Sequence, residues 1–282
     1  MPDRSLIGAV AFIAALGAAD AGAQSPGSQD QSKYPDFYGQ WSRTANSAQW
    51  DPSKPPGLKQ QPPLKPEFQA LFEANVVAVV NGEQTYNPQA FCIPPGMPRM
   101  MIAYEPMQVI VTPETTYIRI DHLTETRRIY TDGRSWPAKI NPSFEGYSIG
   151  RWIAADGSGR YEALEVETRG LKGPRNFDHT GIPLHPDNST VIKERFYLDK
   201  ADGDLLHDDI TTFDDALTRP WTVTRHYRRE HSPVWLEFDC AEDNHHVVIG
   251  KESYFLNSDG NLMPTRKDQP PPEFRASAQV GK

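Results

Sequence analysis

The chain has 282 residues and a formal net charge of −8, from 37 acidic and 29 basic side chains. This balance lacks the basic surplus that nucleic-acid binding needs, so we do not expect a nucleic-acid partner. The length fits one large all-β domain or two small ones, and no apolar run after the first residues approaches a transmembrane helix in length.

The first 23 residues have the pattern of an export signal. Arg4 precedes the apolar run LIGAVAFIAAL, and small residues follow it up to Ala21-Gly22-Ala23, as a signal peptidase requires. The run is too short to span a bilayer. We therefore expect residues 1–23 to be a cleaved signal peptide rather than a retained anchor helix, and the mature protein to be periplasmic or secreted. Residues 24–34 are small and polar, which predicts a mobile leader.

The next part of the chain predicts one strand and one helix. PDFYGQWSR, residues 35–43, is typical of a short aromatic strand, and the proline-dense stretch 51–66 excludes a helix or an inner strand. The segment KPEFQALFEANVVAVVNG then has Pro66 at a first helical position, apolar residues at helical spacing and Gly82 as a stop. It is the only helix that the sequence predicts.

From residue 107 onward, short runs of β-forming residues alternate with turn residues. The nine candidate strands are 107–113, 115–122, 126–133, 146–154, 160–170, 189–199, 204–214, 218–229 and 245–252. Short linkers indicate consecutive antiparallel strands, either a meander closed into a barrel or a sandwich. Because no linker interrupts the series, we expect a single β-rich barrel domain over residues 35–263 and a proline-rich tail over 264–282.

Cys92 and Cys240 are the only cysteines. Two thiols in an oxidising compartment are expected to be bridged, and closing so long a loop contributes about 4–5 kcal/mol in the chain-entropy model. Two separate buried thiols are the alternative, since the Cα separation decides between them.

Five motifs carry a resemblance to a group of exported proteins. RRIYTDGRSWP, GYSIGRW, LEVETRG, KERF and TRPWTV occur in this order between residues 91 and 250. In them the chain resembles a broad family of exported bacterial proteins that has no settled activity. The resemblance therefore implies no catalytic residues.

A further element resembles the calycins. FYGQW contains Gly39-x-Trp41, which lipocalins place at the start of their first strand, where the tryptophan closes the barrel floor. A basic residue of a late strand packs across that tryptophan, and Arg225 or Arg228 would take this part here. The resemblance implies an antiparallel lipocalin-like barrel, or a two-sheet barrel, with one N-terminal helix and proline-rich loops.

Glu194 is the first candidate for a functional group inside the barrel. It interrupts an apolar row on strand 189–199 that contains Ile192, Phe196 and Leu198. A buried carboxylate must be paired or protonated, and an arginine of a neighbouring strand can pair with it. Glu194 is therefore either part of a bridge that fixes the strand register or an acid–base or ligand-binding group.

The stretch TRPWTVTRHY supplies the candidate ligand-binding face. Alternation places Arg219, Trp221, Arg225 and Tyr227 together on one side of the strand. We expect this side to face the interior, with Trp221 and Arg219 buried and Arg219 or Arg225 within reach of a carboxylate such as Glu194. The threonines of the stretch then lie outside.

Two further sets of residues are candidates. His207 and Asp209 are neighbours on one face of strand 204–214, where the aspartate can orient the imidazole for proton transfer; an acidic surface ladder is the alternative. Tyr117 and Tyr130 lie opposite the isoleucines of their strands and so face either solvent or a polar pocket.

The histidine and acidic patterns indicate no metal and no cofactor. Neither His179 and His185 nor His245 and His246 have the spacing of zinc ligands, and the acidic turns lack the pattern of a calcium loop. No phosphate loop, nicotinamide fingerprint or flavin fingerprint occurs.

Three functions follow as hypotheses. The first is a periplasmic or secreted barrel that binds an apolar or aromatic small molecule in its interior. The second is a cofactor-independent isomerase, lyase or hydratase that acts on a hydrophobic substrate, with Glu194 or His207 and Asp209 handling the proton. The third is an envelope interaction protein whose proline loops bind a partner. The oligomeric state does not follow from the sequence.

Overall fold

A computed structural model describes residues 31–44, 48–81, 88–102, 104–120, 125–154, 157, 159–235, 240, 245–250, 252–257 and 259–272. The export signal predicted for residues 1–23 lies outside the described residues. The described residues from Ser32 onward form one compact unit.

The secondary structure is mostly strand. The strands are β1 (Gly39–Arg43), β2 (Met107–Val111), β3 (Thr115–Ile120), β4 (Glu125–Tyr130), β5 (Tyr147–Ala154), β6 (Tyr161–Arg169), β7 (Val191–Leu198), β8 (Leu205–Phe213), β9 (Trp221–Glu230), β10 (His246–Ile249), β11 (Glu252–Leu256) and β12 (Leu262–Pro264). The α-helix is α1 (Pro66–Val80), and single 3-10 turns occur at Gln31–Lys33, Gly57–Gln60, Pro88–Phe91 and Arg99–Ile102.

Helix α1 confirms the predicted helix. It begins at Pro66, where the missing N–H of proline is no loss because the first turn has no intrahelical acceptor for it. Phe72 is completely buried against the core, whereas Val77 and Val80 are exposed. None of the helices in the described part of the chain has the length and apolar character needed to cross a membrane.

Strands β1 to β9 form a closed barrel in sequence order, and β9 pairs back onto β1. This confirms the predicted all-β barrel with one N-terminal helix. One pair differs from the expected antiparallel meander, because β4 and β5 are parallel. A parallel pair needs a long crossover, and the segment between the two strands, residues 131–146, is long enough to provide it.

The last predicted strand, 245–252, does not belong to the barrel. Its residues contribute to β10 and β11, which form a three-stranded sheet with β12. The ninth barrel strand is instead β1, from the segment PDFYGQWSR. Since β1 pairs with both β2 and β9, the closed barrel has no free edge at which β10 could add.

Trp41 of β1 and Arg229 of β9 are paired across the two strands and stack on each other. Trp41 is completely buried, and its indole N–H donates to the Phe37 carbonyl at 2.9 Å. The Arg229 guanidinium lies 4.3 Å above the Trp41 ring and donates to the Tyr38 and Asp36 carbonyls, each at 2.7 Å. A basic residue of the last barrel strand therefore packs across this tryptophan.

The residue in this position is not the one that the sequence predicted. Arg225 points into the barrel, and Arg228 is exposed and paired with Asp202 at 2.5 Å. Period-2 alternation along β9 separates Arg229 from Arg228, so the correct arginine depends on the exact pairing with β1, in which Trp41 lies opposite Arg229.

The predicted disulfide is present. Cys92 and Cys240 are bonded, with their Cα atoms 5.6 Å apart and a sequence separation of 148 residues. The bond ties the segment before β2 to the segment after β9.

Candidate functional site

The interior of the barrel is filled by side chains of the protein itself. Trp50 and Phe177 come from two loops and pack together with ring centroids 5.3 Å apart, and Phe177 lies 5.1 Å from Trp221 of β9. The segment before β2 adds three buried methionines, Met97, Met100 and Met101. All of them belong to one hydrophobic cluster with the inward-facing residues of the strands.

An ion pair between Arg127 and Glu194 lies within this packed interior. The guanidinium binds the carboxylate through two parallel hydrogen bonds, one of them from Nη1 to Oε1 at 2.7 Å. The other N–H groups of Arg127 donate to Ser148 (3.2 Å) and Thr168 (2.8 Å), with the sulfur of Met101 at 4.0 Å. Both charged side chains are inaccessible to solvent. Such a pair satisfies the buried charges and fixes the positions of β4 and β7.

The prediction for Glu194 was therefore right about burial and wrong about its partner. The residue that binds it is Arg127 of β4, not Arg219 or Arg225. Strand β4 is far from β7 in sequence, but curvature of the closed barrel brings inward side chains of both strands together.

Asp208 is a second carboxyl group in the interior. It is completely buried, and neither of its oxygens has a hydrogen-bond partner among the described residues. Burial, followed by the nearby charge of Glu194, raises the pKa of Asp208 well above its usual value, although Arg127 and Arg225 oppose this shift. We therefore expect Asp208 to be protonated over a range of pH in which an exposed carboxyl is ionised.

The predicted ligand-binding residues of β9 are buried, but they bind the chain itself. Arg225 donates to the Gln49 and Trp50 carbonyls at 2.9 and 2.8 Å, and Tyr227 donates to the Met101 carbonyl at 2.8 Å. Burial raises the pKa of Tyr227 and lowers that of Arg225. Trp221 is also buried, and the threonines of this strand lie outside, as expected.

Arg219 is exposed, contrary to the prediction. Strand β9 begins only at Trp221, so the alternation that assigned Arg219 to the inner face does not extend to it. Arg219 lines a surface cleft of about 400 Å³ together with Ser189, Phe213, Asp214, Asp215, Leu217, Thr218 and Pro220.

His207 and Asp209 lie on the outer face of β8 and have different partners. His207 Nδ1 is 2.7 Å from Nδ1 of His226, and its Nε2 is 3.3 Å from the Asp199 carboxylate. Asp209 instead accepts a hydrogen bond from Thr224 at 2.6 Å. Burial and the charge of His207 lower the pKa of His226. The structure therefore places the two predicted proton-handling residues outside the barrel, apart from Glu194.

Tyr117 and Tyr130 are half-buried residues of the outer face. Tyr130 belongs to a row of three aromatic rings, with centroids 5.0 Å from Tyr130 to Tyr147 and 5.9 Å from Tyr147 to Trp136. The guanidinium of Arg134 covers the Tyr130 ring at 3.8 Å. This row lies on and beside the crossover segment 131–146.

A groove of about 580 Å³ lies on the outside of the barrel next to this row. We call it the outer groove; its lining consists of the outward-facing Ile149, Arg151, Glu165, Glu167, Lys193, Arg195, Asp209 and Thr211 together with Trp136, and it also borders the buried, inward-facing residues Gly150, Val166 and Glu194. Strands β5 to β8 contribute all of these except Trp136, which belongs to the crossover segment.

Ion pairs run across the strands in the outer groove. Glu165 of β6 is bonded to Arg151 of β5 at 3.0 Å and to Arg195 of β7 at 2.9 Å. Further along the same face of β6, Glu167 is paired with Lys193 at 3.5 Å. These contacts follow directly from the strand register, which places the residues opposite one another.

One further set of side chains brings possible metal ligands together. His185, Asp187 and Asp215 place three ligand atoms within 4.8 Å of one another. The carboxylate of Asp187 already lies 2.9 Å from the His185 ring and accepts from Ser189 at 2.8 Å. We assign no metal to this set. Sequence spacing did not indicate it, because Asp215 belongs to a different loop.

Sequence reasoning missed the residues that matter most for the interior and for the groove. Arg127 lies in the RRIYTDGRSWP motif on the isoleucine side of its strand, so its alternation with Ile129 was a usable signal for an inward arginine. Trp136 lies near the end of the same motif, but no local pattern places a loop tryptophan beside a groove. Asp208 lies on the face with Leu206 and Ile210, which is the inner face.

A comparison of the chain with protein-family models gave no match, and a comparison with curated proteins gave no match either.

Proposed function

We propose that the chain is an exported β-barrel protein that binds a small molecule in the outer groove, rather than in the interior of the barrel. The observation that carries this proposal is the groove itself. Its volume, about 580 Å³, falls within the range of small-molecule sites, and it combines an aromatic side chain with several polar groups.

The packing of the barrel interior favours a ligand site on the outside of the barrel. The side chains that were expected to contact a ligand there, Trp221, Arg225 and Tyr227, contact loop residues of the protein. The disulfide between Cys92 and Cys240 supports export, because such bonds persist in oxidising compartments.

Acid–base catalysis has less support from this geometry. Glu194 is held by Arg127 in the packed interior, whereas His207 and Asp209 lie on the outside. A proton-transfer site needs its groups within reach of one substrate.

Binding can be tested on the purified full chain after export. Native mass spectrometry would reveal a co-purified small molecule, and a thermal-shift panel would supply aromatic acids, aromatic amines and oligosaccharides. A ligand present at a hundred times its Kd stabilises by about 2.7 kcal/mol, which for a chain of this size raises Tm by about 5–10 °C.

Two tryptophans allow a matched comparison: Trp136, which lines the outer groove, is the test position, and Trp235, which does not, is the control. Trp136→Ala should reduce the shift to about half or less, and Trp235→Ala should retain it, because Trp235 is an exposed tryptophan outside the groove lining. The proposal fails if no compound class raises Tm, or if the two variants respond to the ligand alike.

A further inference from the structure

The ionic side chains that line the outer groove neutralise one another. Arg151, Lys193 and Arg195 supply three positive charges, and the carboxylates that face the groove from β6 and β8 supply three negative ones, Glu165, Glu167 and Asp209. Both glutamates are paired with these cations, and Asp209 accepts from Thr224. A charged ligand would therefore add an unmatched charge to a set that is already balanced.

A neutral ligand with hydroxyl groups adds no such charge. A carboxylate offers about four lone-pair positions and a guanidinium about five N–H donors, so a hydroxyl can bind Glu165 or Arg195 while their ion pair stays intact. These side chains retain solvent access to make such bonds, with exposed fractions of 40% for Glu165 and 38% for Arg195.

A wholly apolar ligand also fits poorly. It would cover the ionic side chains of β5 to β8 without replacing their water, and burying charged groups without hydrogen bonds is costly. Trp136 and Ile149 are the larger apolar contributors to the lining, so only part of a ligand can be apolar.

The shape of the groove limits the length of the ligand. The lining extends over four adjacent strands, β5 to β8, which is about 14 Å across at the usual spacing between strands. Trp136 bounds the groove, and its ring is oriented by Arg169, whose guanidinium lies 4.5 Å from the ring centroid. The row from Trp136 through Tyr147 to Tyr130 continues the aromatic surface beyond the groove.

We propose that the outer groove binds a neutral oligosaccharide of two or three pyranose rings. The C–H face of one ring stacks on Trp136, and hydroxyls of the others bond to Glu165, Arg195 and Lys193. This inference rests on the proposed function, since it names the ligand class of the same site.

The test uses isothermal titration calorimetry on the full exported chain with defined probes. Neutral trisaccharides of glucose and of N-acetylglucosamine are compared with trigalacturonate, which is anionic, and with indole-3-acetate, which is aromatic and anionic. At least one neutral trisaccharide should bind, and its affinity should change by less than about twofold between about 50 mM and about 500 mM salt, because no charge is neutralised.

Variants locate the binding in the groove. Trp136→Ala should weaken binding by about tenfold or more, and Arg195→Gln by about fivefold to tenfold. Two substitutions outside the groove lining, Trp235→Ala and Arg228→Gln, serve as controls and should bind like the parent. Unchanged thermal unfolding would show that each variant is folded.

The remaining outcomes separate the two proposals. Tighter, salt-sensitive binding of trigalacturonate would overturn neutrality as the basis of recognition. Binding of indole-3-acetate alone, lost in Trp136→Ala, would overturn the carbohydrate inference and leave the proposed function standing. Absence of binding by every probe in this set, with no shift in the wider panel, would overturn both.

Discussion

Arg127 of β4 and Glu194 of β7 form a bidentate ion pair in the barrel interior, with no solvent access to either side chain. Ser148 and Thr168 hold the remaining edge of the guanidinium and are themselves 2.8 Å apart. The pair thus connects β4, β5, β6 and β7. The net contribution of the pair to stability can be measured separately from the cost of removing only one of its two partners.

Glu194→Ala should lower the free energy of unfolding by about 3–5 kcal/mol, because it leaves the Arg127 charge buried without its partner. Replacing both residues by apolar ones, as in Arg127→Met with Glu194→Leu, should recover much of this loss. Urea unfolding of the parent, of Arg127→Met, of Glu194→Leu and of the double variant gives the complete cycle. A double variant as unstable as the sum of the single ones would contradict this account.

Asp208 should make stability fall as the pH rises. Its pKa is raised in the folded state, chiefly by burial and then by Glu194. Between the usual carboxyl pKa and the raised value, the folded state keeps a proton that the unfolded state has lost, so deprotonation favours unfolding. Asp208→Asn removes this dependence. The stability of the variant relative to the parent should therefore increase with pH, measured by urea unfolding at several pH values.

Asp202 provides a control in which stability depends on pH in the opposite direction. The pKa of the partly exposed Asp202 is lowered, chiefly by its hydrogen bond with Arg228. Solvent screens this pair, so its contribution at neutral pH is small. It is lost as the pH falls through the folded-state value, so the small difference between Asp202→Asn and the parent should shrink in acid rather than grow with pH. A constant difference between Asp208→Asn and the parent at every pH would show that Asp208 does not titrate as described.

The strands were predictable because each is a short β-forming run bounded by turn residues. Alternation also identified Trp221, Arg225 and Tyr227 as one buried face. The parallel pairing of β4 with β5 was not predictable, since alternation within a strand is the same whichever direction its neighbour runs. The prediction that Arg219 is buried was wrong for a related reason: alternation does not show at which residue a strand begins.

The burial of charged residues in the interior could not be predicted from the sequence, for a different reason. Strand β8 has polar residues on both faces, His207 and Asp209 on one and Asp208 on the other, so its pattern does not decide which face is buried. The cost of burying a carboxyl argues for placing Asp208 outside. In the folded barrel the raised pKa favours the protonated, uncharged form of Asp208, which avoids burying a full charge. Arg127 and Arg225 also lie near it, and only the folded barrel brings these groups together.

The disulfide should contribute substantially to stability. Replacing Cys92 and Cys240 by serine releases a loop closed over a sequence separation of 148 residues, and the chain-entropy model gives a loss of about 4–5 kcal/mol. Urea unfolding of the double variant, compared with the oxidised parent, measures the loss. Adding a reductant should lower the stability of the parent toward that of the variant and leave the variant unchanged; a parent insensitive to complete reduction would contradict the prediction.

Arg229 and Arg228 are adjacent arginines that should differ strongly in importance. Arg229→Gln removes the contact over Trp41 and the charged donors to the Tyr38 and Asp36 carbonyls, so the free energy of unfolding should fall by about 2–4 kcal/mol. Arg228→Gln removes only an exposed ion pair and should leave the free energy of unfolding nearly unchanged, because solvent screens such pairs. Urea unfolding of the two variants side by side is the measurement. Equal losses would mean that the contacts of Arg229 do not stabilise the fold more than the exposed pair of Arg228 does.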